Sequence, residues 1–362
     1  MGRRFKDIYA DSCAAERSMH AAKSTKFLIG LRLWYHVEGV GCPSGQPSST
    51  APALVCRTFL PKADERFDQL VHRVNKRLES DRLGGRIVSV EVVRLLCSSQ
   101  KQYRPQILNP NLSLWKEHAD CTKKFVHCVR VYALLTVHQD GYETIGYQDF
   151  VPEYNRRNKD NKGYELFSDV MQRASRWIAS QQSVRFTNVE TINVKIKRNT
   201  SFEERCVYSE HRCANHRLNY LTGPNRTTRY IRVVRAFFVV TKGAGGRMDY
   251  PSARLTVRTF SPLQLTRPTP GHPAEFEQTR HLVDRVNQWL QVTGASVFSV
   301  ETVCIKATRC QVQLLGSEAT YSENSMTGAW AERWLYHIRL YLDGEYVEPP
   351  PALDLVQPAA QV

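Results

Sequence analysis

Four residues with metal-ligand chemistry stand close together in ERCVYSEHRCANH: Cys206, His211, Cys213 and His216. Two thiolates and two imidazoles could satisfy tetrahedral zinc; beyond that possibility, no cofactor is expected. The C-x2-C pairs that make zinc motifs specific are missing, so an ordinary polar loop is the competing reading. A second set, His118, Cys121, His127 and Cys128, runs from a loop into a strand and forms a poorer ligand set.

Three charged positions recur. An Arg lies between aliphatic neighbours in four strand-like segments, at Arg32, Arg130, Arg232 and Arg339. Another recurs on three helix-like segments, at Arg73, Arg173 and Arg285, and a Glu follows Val at Glu91, Glu190 and Glu301. In an alternating strand the charged position faces away from its aliphatic neighbours. Strand Arg and strand Glu can therefore meet as cross-strand ion pairs, each contributing from a few tenths of a kcal/mol to about 1 kcal/mol. The functional alternative is a row of side chains lining repeated ligand grooves, with Arg32, Arg130, Arg232 and Arg339 as the ligand-binding set.

Catalytic chemistry finds little support. Acid–base work needs two carboxylates in contrasting environments, and each repeated motif supplies one. A G-x-S-x-G elbow, a P-loop, a G-x-G-x-x-G fingerprint and an H-E-x-x-H pair are all missing from the sequence. No catalytic residue is assigned.

The elements that would position these residues are repeated too. Arg280 to Lys306 reads RHLVDRVNQWLQVTGASVFSVETVCIK, an apolar-faced helix, a small-residue turn and an alternating strand. Gln69 to Leu95 and Asp169 to Lys195 carry the same pattern. Phe67, Leu70, Val71, Val74 and Leu78 recur at helical spacing, as do Phe167, Val170, Met171, Ala174, Trp177 and Ile178. A Phe-x-Pro corner recurs at Phe59, Phe150 and Phe260. The fold expected is α+β: three tandem strand–strand–helix–strand repeats, mainly antiparallel sheets each covered by one helix, plus a terminal lone strand. The expected division is a flexible tail at 1–25, unit 1 at 26–97, a loop at 98–122 and unit 2 at 123–197. A loop at 198–227, unit 3 at 228–307, a loop at 308–332, the terminal strand at 333–346 and a disordered tail at 347–362 follow. The last strand could complete the third sheet.

The helix–strand pattern resembles segments of the raftlin-type proteins, which are lipid-anchored. That likeness covers the short pattern alone, and the acylated N-terminal Cys of those proteins has no counterpart here. Met1-Gly2 begins a myristoylation motif, but Lys6 occupies the place of its Ser or Thr.

The net charge is +15, with 42% apolar residues. This composition is too apolar for a disordered chain, and the charge is compatible with an acidic partner, protein or nucleic acid, or with a peripheral membrane contact; a well-solvated basic surface without a partner is the competing reading. No apolar run reaches the roughly 18 residues of a membrane span. The N-terminus has no apolar leader, so the ten cysteines are expected to be reduced, in cytoplasm or nucleus. The function expected is a non-enzymatic intracellular tandem-repeat binding or scaffold protein presenting basic surfaces to an acidic partner. RNA or single-stranded DNA binding is the alternative, and an enzyme with a cleft between units comes third.

Overall fold

The computed structural model describes residues 14–17, 24–28, 53–62, 65–81, 85–97, 114–118, 123–135, 141–154, 163–196, 219–222, 228–242, 254–266, 274–307, 316–324 and 332–350. Among the described residues, three four-stranded antiparallel sheets and three α-helices form a repeated α+β arrangement, beside one two-stranded sheet.

In unit 1, β3 (Leu54–Phe59), helix α1 (Phe67–Asp81), β4 (Gly85–Cys97) and β6 (Lys123–Leu135) make one layer of sheet and helix. Unit 2 repeats this with β7 (Tyr142–Phe150), α2 (Phe167–Ala179), β8 (Arg185–Ile196) and β10 (Thr228–Lys242). Unit 3 uses β11 (Leu255–Phe260), α3 (Thr279–Thr293), β12 (Ser296–Ala307) and β14 (Glu332–Asp343). The last strand of each unit lies in the middle of its sheet, antiparallel to both neighbours. This corrects two expectations. The paired unit is strand–helix–strand–strand, because β6 and β10 join the strands that precede them. The terminal strand is not alone: β14 is bonded to β11 and β12.

Each returning strand runs along nearly the whole length of its central strand, so the opposite edge is shared. One half of that edge holds the opening strand. The other half holds a short strand from the next connection: β9 (Asn219–Thr222) on β6, and β13 (Tyr321–Asn324) on β10. On β14 that place is filled by N-terminal β1 (Ala14–Arg17). Thus the segments read as tail and loops carry strands, including β2 (Ser24–Leu28) paired with β5 (Leu114–His118).

The helices form because their apolar residues recur on one face. The buried set of α1 is Phe67, Leu70, Val71, Val74 and Leu78, and that of α2 is Phe167, Val170, Met171, Ala174 and Ile178. Helix α3 stops at Gly294, whose φ of 62° suits a residue without Cβ and lets its N–H bond to Leu290 O at 2.9 Å. Helix α1 packs on its own sheet and also on Ile145, Phe237 and Val239 of unit 2. Helix α2 likewise joins unit 2 to Leu255 and Tyr341 of unit 3. The units therefore share their cores in sequence. Gly146 is part of this packing, since a Cβ there would run into the Phe238 ring.

A charged fastening repeats in every unit. Arg73 bonds both oxygens of Glu65 at 2.8 and 2.9 Å and Leu60 O at 2.6 Å. Arg173 does the same with Glu165 and Val151 O, and Arg285 with Glu277 and Ser261 O. Each forked guanidinium ties the end of the opening strand to the segment leading into the helix, a geometry Lys could not reproduce. Among the described residues, no helix is long and apolar enough to cross a membrane.

Candidate functional site

The repeated strand charges come together as cross-strand neighbours. Glu91 lies opposite Arg130, Glu190 opposite Arg235, and Glu301 opposite Arg339. The residue of unit 2 that matches Arg130 and Arg339 is therefore Arg235, three places beyond Arg232. An odd separation along a strand puts Arg232 on the other face, where it donates to Ala319 O at 2.9 Å. Arg32 and the set Cys206, His211, Cys213 and His216 lie outside the described residues.

The arginines and glutamates of this column join one unit to the next. Outward N–H groups of β4 are taken by unit 2: Val90 N–H donates to Asn188 Oδ1 at 3.0 Å and Val92 N–H to Glu190 at 3.1 Å. One unit further, Val189 N–H donates to Ser299 Oγ at 3.3 Å and Thr191 N–H to Glu301 at 2.8 Å. Side chains thus cap an edge that would otherwise recruit another strand. The Arg235 guanidinium sits 3.7 Å above Phe67, the first residue of α1, and Arg339 sits 3.6 Å above Phe167, the first residue of α2. At the corresponding place α3 begins with Thr279, which has no ring to offer.

Burial governs the electrostatics. It pushes the Glu190 carboxyl well above the usual carboxylate range, against the opposing pull of Arg235 and the Val92 N–H. Burial, with Arg339 nearby, lowers Arg232 to about 10. Arg339 is 0% exposed, and among the described residues its Nη1 has no hydrogen-bond partner, as is also true of His337 Nε2.

His337 is held down to about 4 by burial and then by Arg339 and Arg232, from an ordinary value of 6.5. Because the unfolded chain takes up the proton first, His337 supports the fold above pH 6.5. This contribution is lost as pH falls from 6.5 towards 4, an effect of about 3 kcal/mol when complete. Val233 and Cys128 occupy the matching places in units 2 and 1. His337→Val is therefore expected to flatten the acid limb of stability, measured by urea unfolding at pH 7 and pH 4.5. An unchanged pH dependence would remove His337 from the explanation.

A separate feature lies in unit 1. A shallow cavity of about 420 Å³ is lined by Phe59, Arg73, Lys76, Arg77 and Ser80. Lys76, Arg77 and Ser80 are exposed on the outer side of α1. Arg77 and Arg57 share the carboxylate of Asp81, each at 2.8 Å. Lys76 has no carboxylate partner among the described residues. Sequence reasoning missed this site. Its signal is the helix position three turns in, which holds Trp177 and Trp289 in units 2 and 3 but Arg77 in unit 1. The cavity can take an apolar group against Phe59 and an anion at its rim; it brings together no acid–base pair.

Comparison of the chain with protein-family models, curated proteins and solved structures finds no match.

Proposed function

We propose that this chain is a non-enzymatic tandem-repeat binding scaffold that presents basic surface to an acidic partner. The uneven use of charge supports this reading most. Charges that recur in all three units are hydrogen-bonded within the stack, through the Arg73, Arg173 and Arg285 clamps and the Glu190 and Glu301 caps. Lys76 and Arg77 belong to no such repeated contact and stand exposed around the cavity of unit 1. With a net charge of +15, the long-range field favours an anionic partner over a neutral one.

Capture on immobilised poly-glutamate and on single-stranded RNA tests the proposal. The chain should bind poly-glutamate at low salt and release it as ionic strength shortens the Debye length towards about 8 Å. Lys76→Glu together with Arg77→Glu should weaken that capture strongly. Failure to bind poly-glutamate at low salt, or capture of RNA alone, would overturn the reading; the latter result would establish the nucleic-acid alternative.

A further inference from the structure

The three units provide an internal control for what the unit 1 cavity is shaped to hold. In unit 2 the Trp177 indole meets Phe150 edge-on, ring centroids 5.7 Å apart, and also packs on Phe186 and Phe238 at 5.9 and 6.0 Å. In unit 3 Trp289 meets Phe260 in the same way at 5.5 Å. These indoles close over their partners: Phe150 and Phe260 are 4% and 3% exposed. In unit 1 the matching helix residue is Arg77, which turns outward to Asp81, and Phe59 remains only partly covered. The strand residue matching Phe238 is Ala133, so the wall is reduced as well. The repeated scaffold is intact here, with Arg73 clamped to Glu65 as Arg173 is to Glu165. What is absent is the ring.

We propose that this cavity receives an aromatic side chain, an indole above all, from an acidic segment of a partner protein. The proposal rests on the acidic-partner reading above and specifies its recognition element. Phe59 supplies the edge-to-face surface that Phe150 and Phe260 give to their own tryptophans. Lys76 at the rim supplies the charge for Asp or Glu residues flanking the inserted ring, with Arg77, paired to Asp81, beside it. An aromatic anchor in a pocket surrounded by a charged rim is how small interfaces concentrate their affinity.

Two short acidic peptides, alike except for a central Trp or Ala, discriminate the parts of this proposal by fluorescence anisotropy. The full chain should bind the Trp peptide about tenfold or more tightly than the Ala peptide, the return expected for burying one large ring. Arg77→Trp, which installs the residue that units 2 and 3 carry, should abolish this preference and raise the thermal midpoint by several degrees. Arg77→Ala should keep the preference, because the cavity stays open. Equal binding of the two peptides would overturn the aromatic anchor while leaving the acidic-partner reading in place. No binding of either peptide would overturn both. Retention of the Trp preference in Arg77→Trp, or a lowered thermal midpoint, would show that the cavity is not where an indole goes.

Discussion

Asp149→Ala is expected to reduce the free energy of unfolding by about 3–5 kcal/mol. Asp149 and Arg235 form a forked pair, with Arg235 Nη2 on Asp149 Oδ2 at 2.6 Å, and their side chains are 3% and 6% exposed. Burial works against the Arg235 charge, yet Asp149 outweighs it and holds the guanidinium above its usual range. Removing the carboxylate leaves that charge enclosed by Phe67, Tyr147 and Phe237. The nearest remaining acid, Glu190, is engaged by the Val92 N–H and is itself disfavoured as an anion. A milder loss is expected for Asp149→Thr. Thr58 and Thr259 occupy this place in units 1 and 3 and accept from Arg130 at 3.0 Å and Arg339 at 3.1 Å. Urea unfolding of both variants provides the comparison; an Ala variant within about 1 kcal/mol of wild type would contradict the role given to the pair.

The second large effect belongs to Trp289. Its indole is 3% exposed and lies between Phe260, at 5.5 Å, and Tyr346, at 5.0 Å. Trp289→Ala should cost about 3–5 kcal/mol, the usual range for a buried indole truncated to methyl. The loss is one of packing, because the Trp289 Nε1–H has no hydrogen-bond partner among the described residues. Trp289→Phe should therefore cost much less, since a ring still meets Phe260 and an unsatisfied donor is removed. The Ala variant gives unit 3 the vacancy that unit 1 carries naturally. For a domain with a total stability of about 5–15 kcal/mol, that is a serious loss. In unit 1, Leu78 of α1 and Ile87 and Val90 of β4 stay buried in one cluster beside that vacancy.

Local periodicity made the elements legible. Every apolar position predicted for α1 is buried, and the turn before β12 opens with a glycine in the left-handed geometry that such a turn needs. The antiparallel sheets, each with one helix, also followed from pattern. Pairing partners did not. Whether a strand belongs to the helix before or after it depends on contacts 30 to 100 residues apart, for which periodicity carries no signal. That is why β14 read as a lone strand, although it bonds to β11 and β12. The choice between Arg232 and Arg235 shows a finer failure. Both arginines have aliphatic or small neighbours, so flanking residues cannot separate them. An aromatic two places on does: Tyr132 follows Arg130, Phe237 follows Arg235 and Tyr341 follows Arg339, whereas Val234 follows Arg232. In units 1 and 3 that hydroxyl donates to Glu91 at 2.8 Å and to Glu301 at 2.9 Å, which gives the spacing its physical basis. The cavity was hidden for a different reason. A missing Trp leaves no motif, and Arg77 becomes conspicuous only when three helices are superposed.

Glu190 and Glu301 each fasten their own unit to the outer strand of the unit before it, a claim that amide hydrogen exchange on Glu301→Ala puts at risk. The Thr191 N–H donates to Glu301 Oε1 at 2.8 Å across a separation of 110 residues. Its exchange should accelerate by about tenfold or more in the variant, as expected for losing a hydrogen bond to a charged group. The Val92 amide, which donates to Glu190, should be unaffected. An unchanged Thr191 amide in Glu301→Ala would contradict the claim and return the Glu column to the candidates for ligand binding.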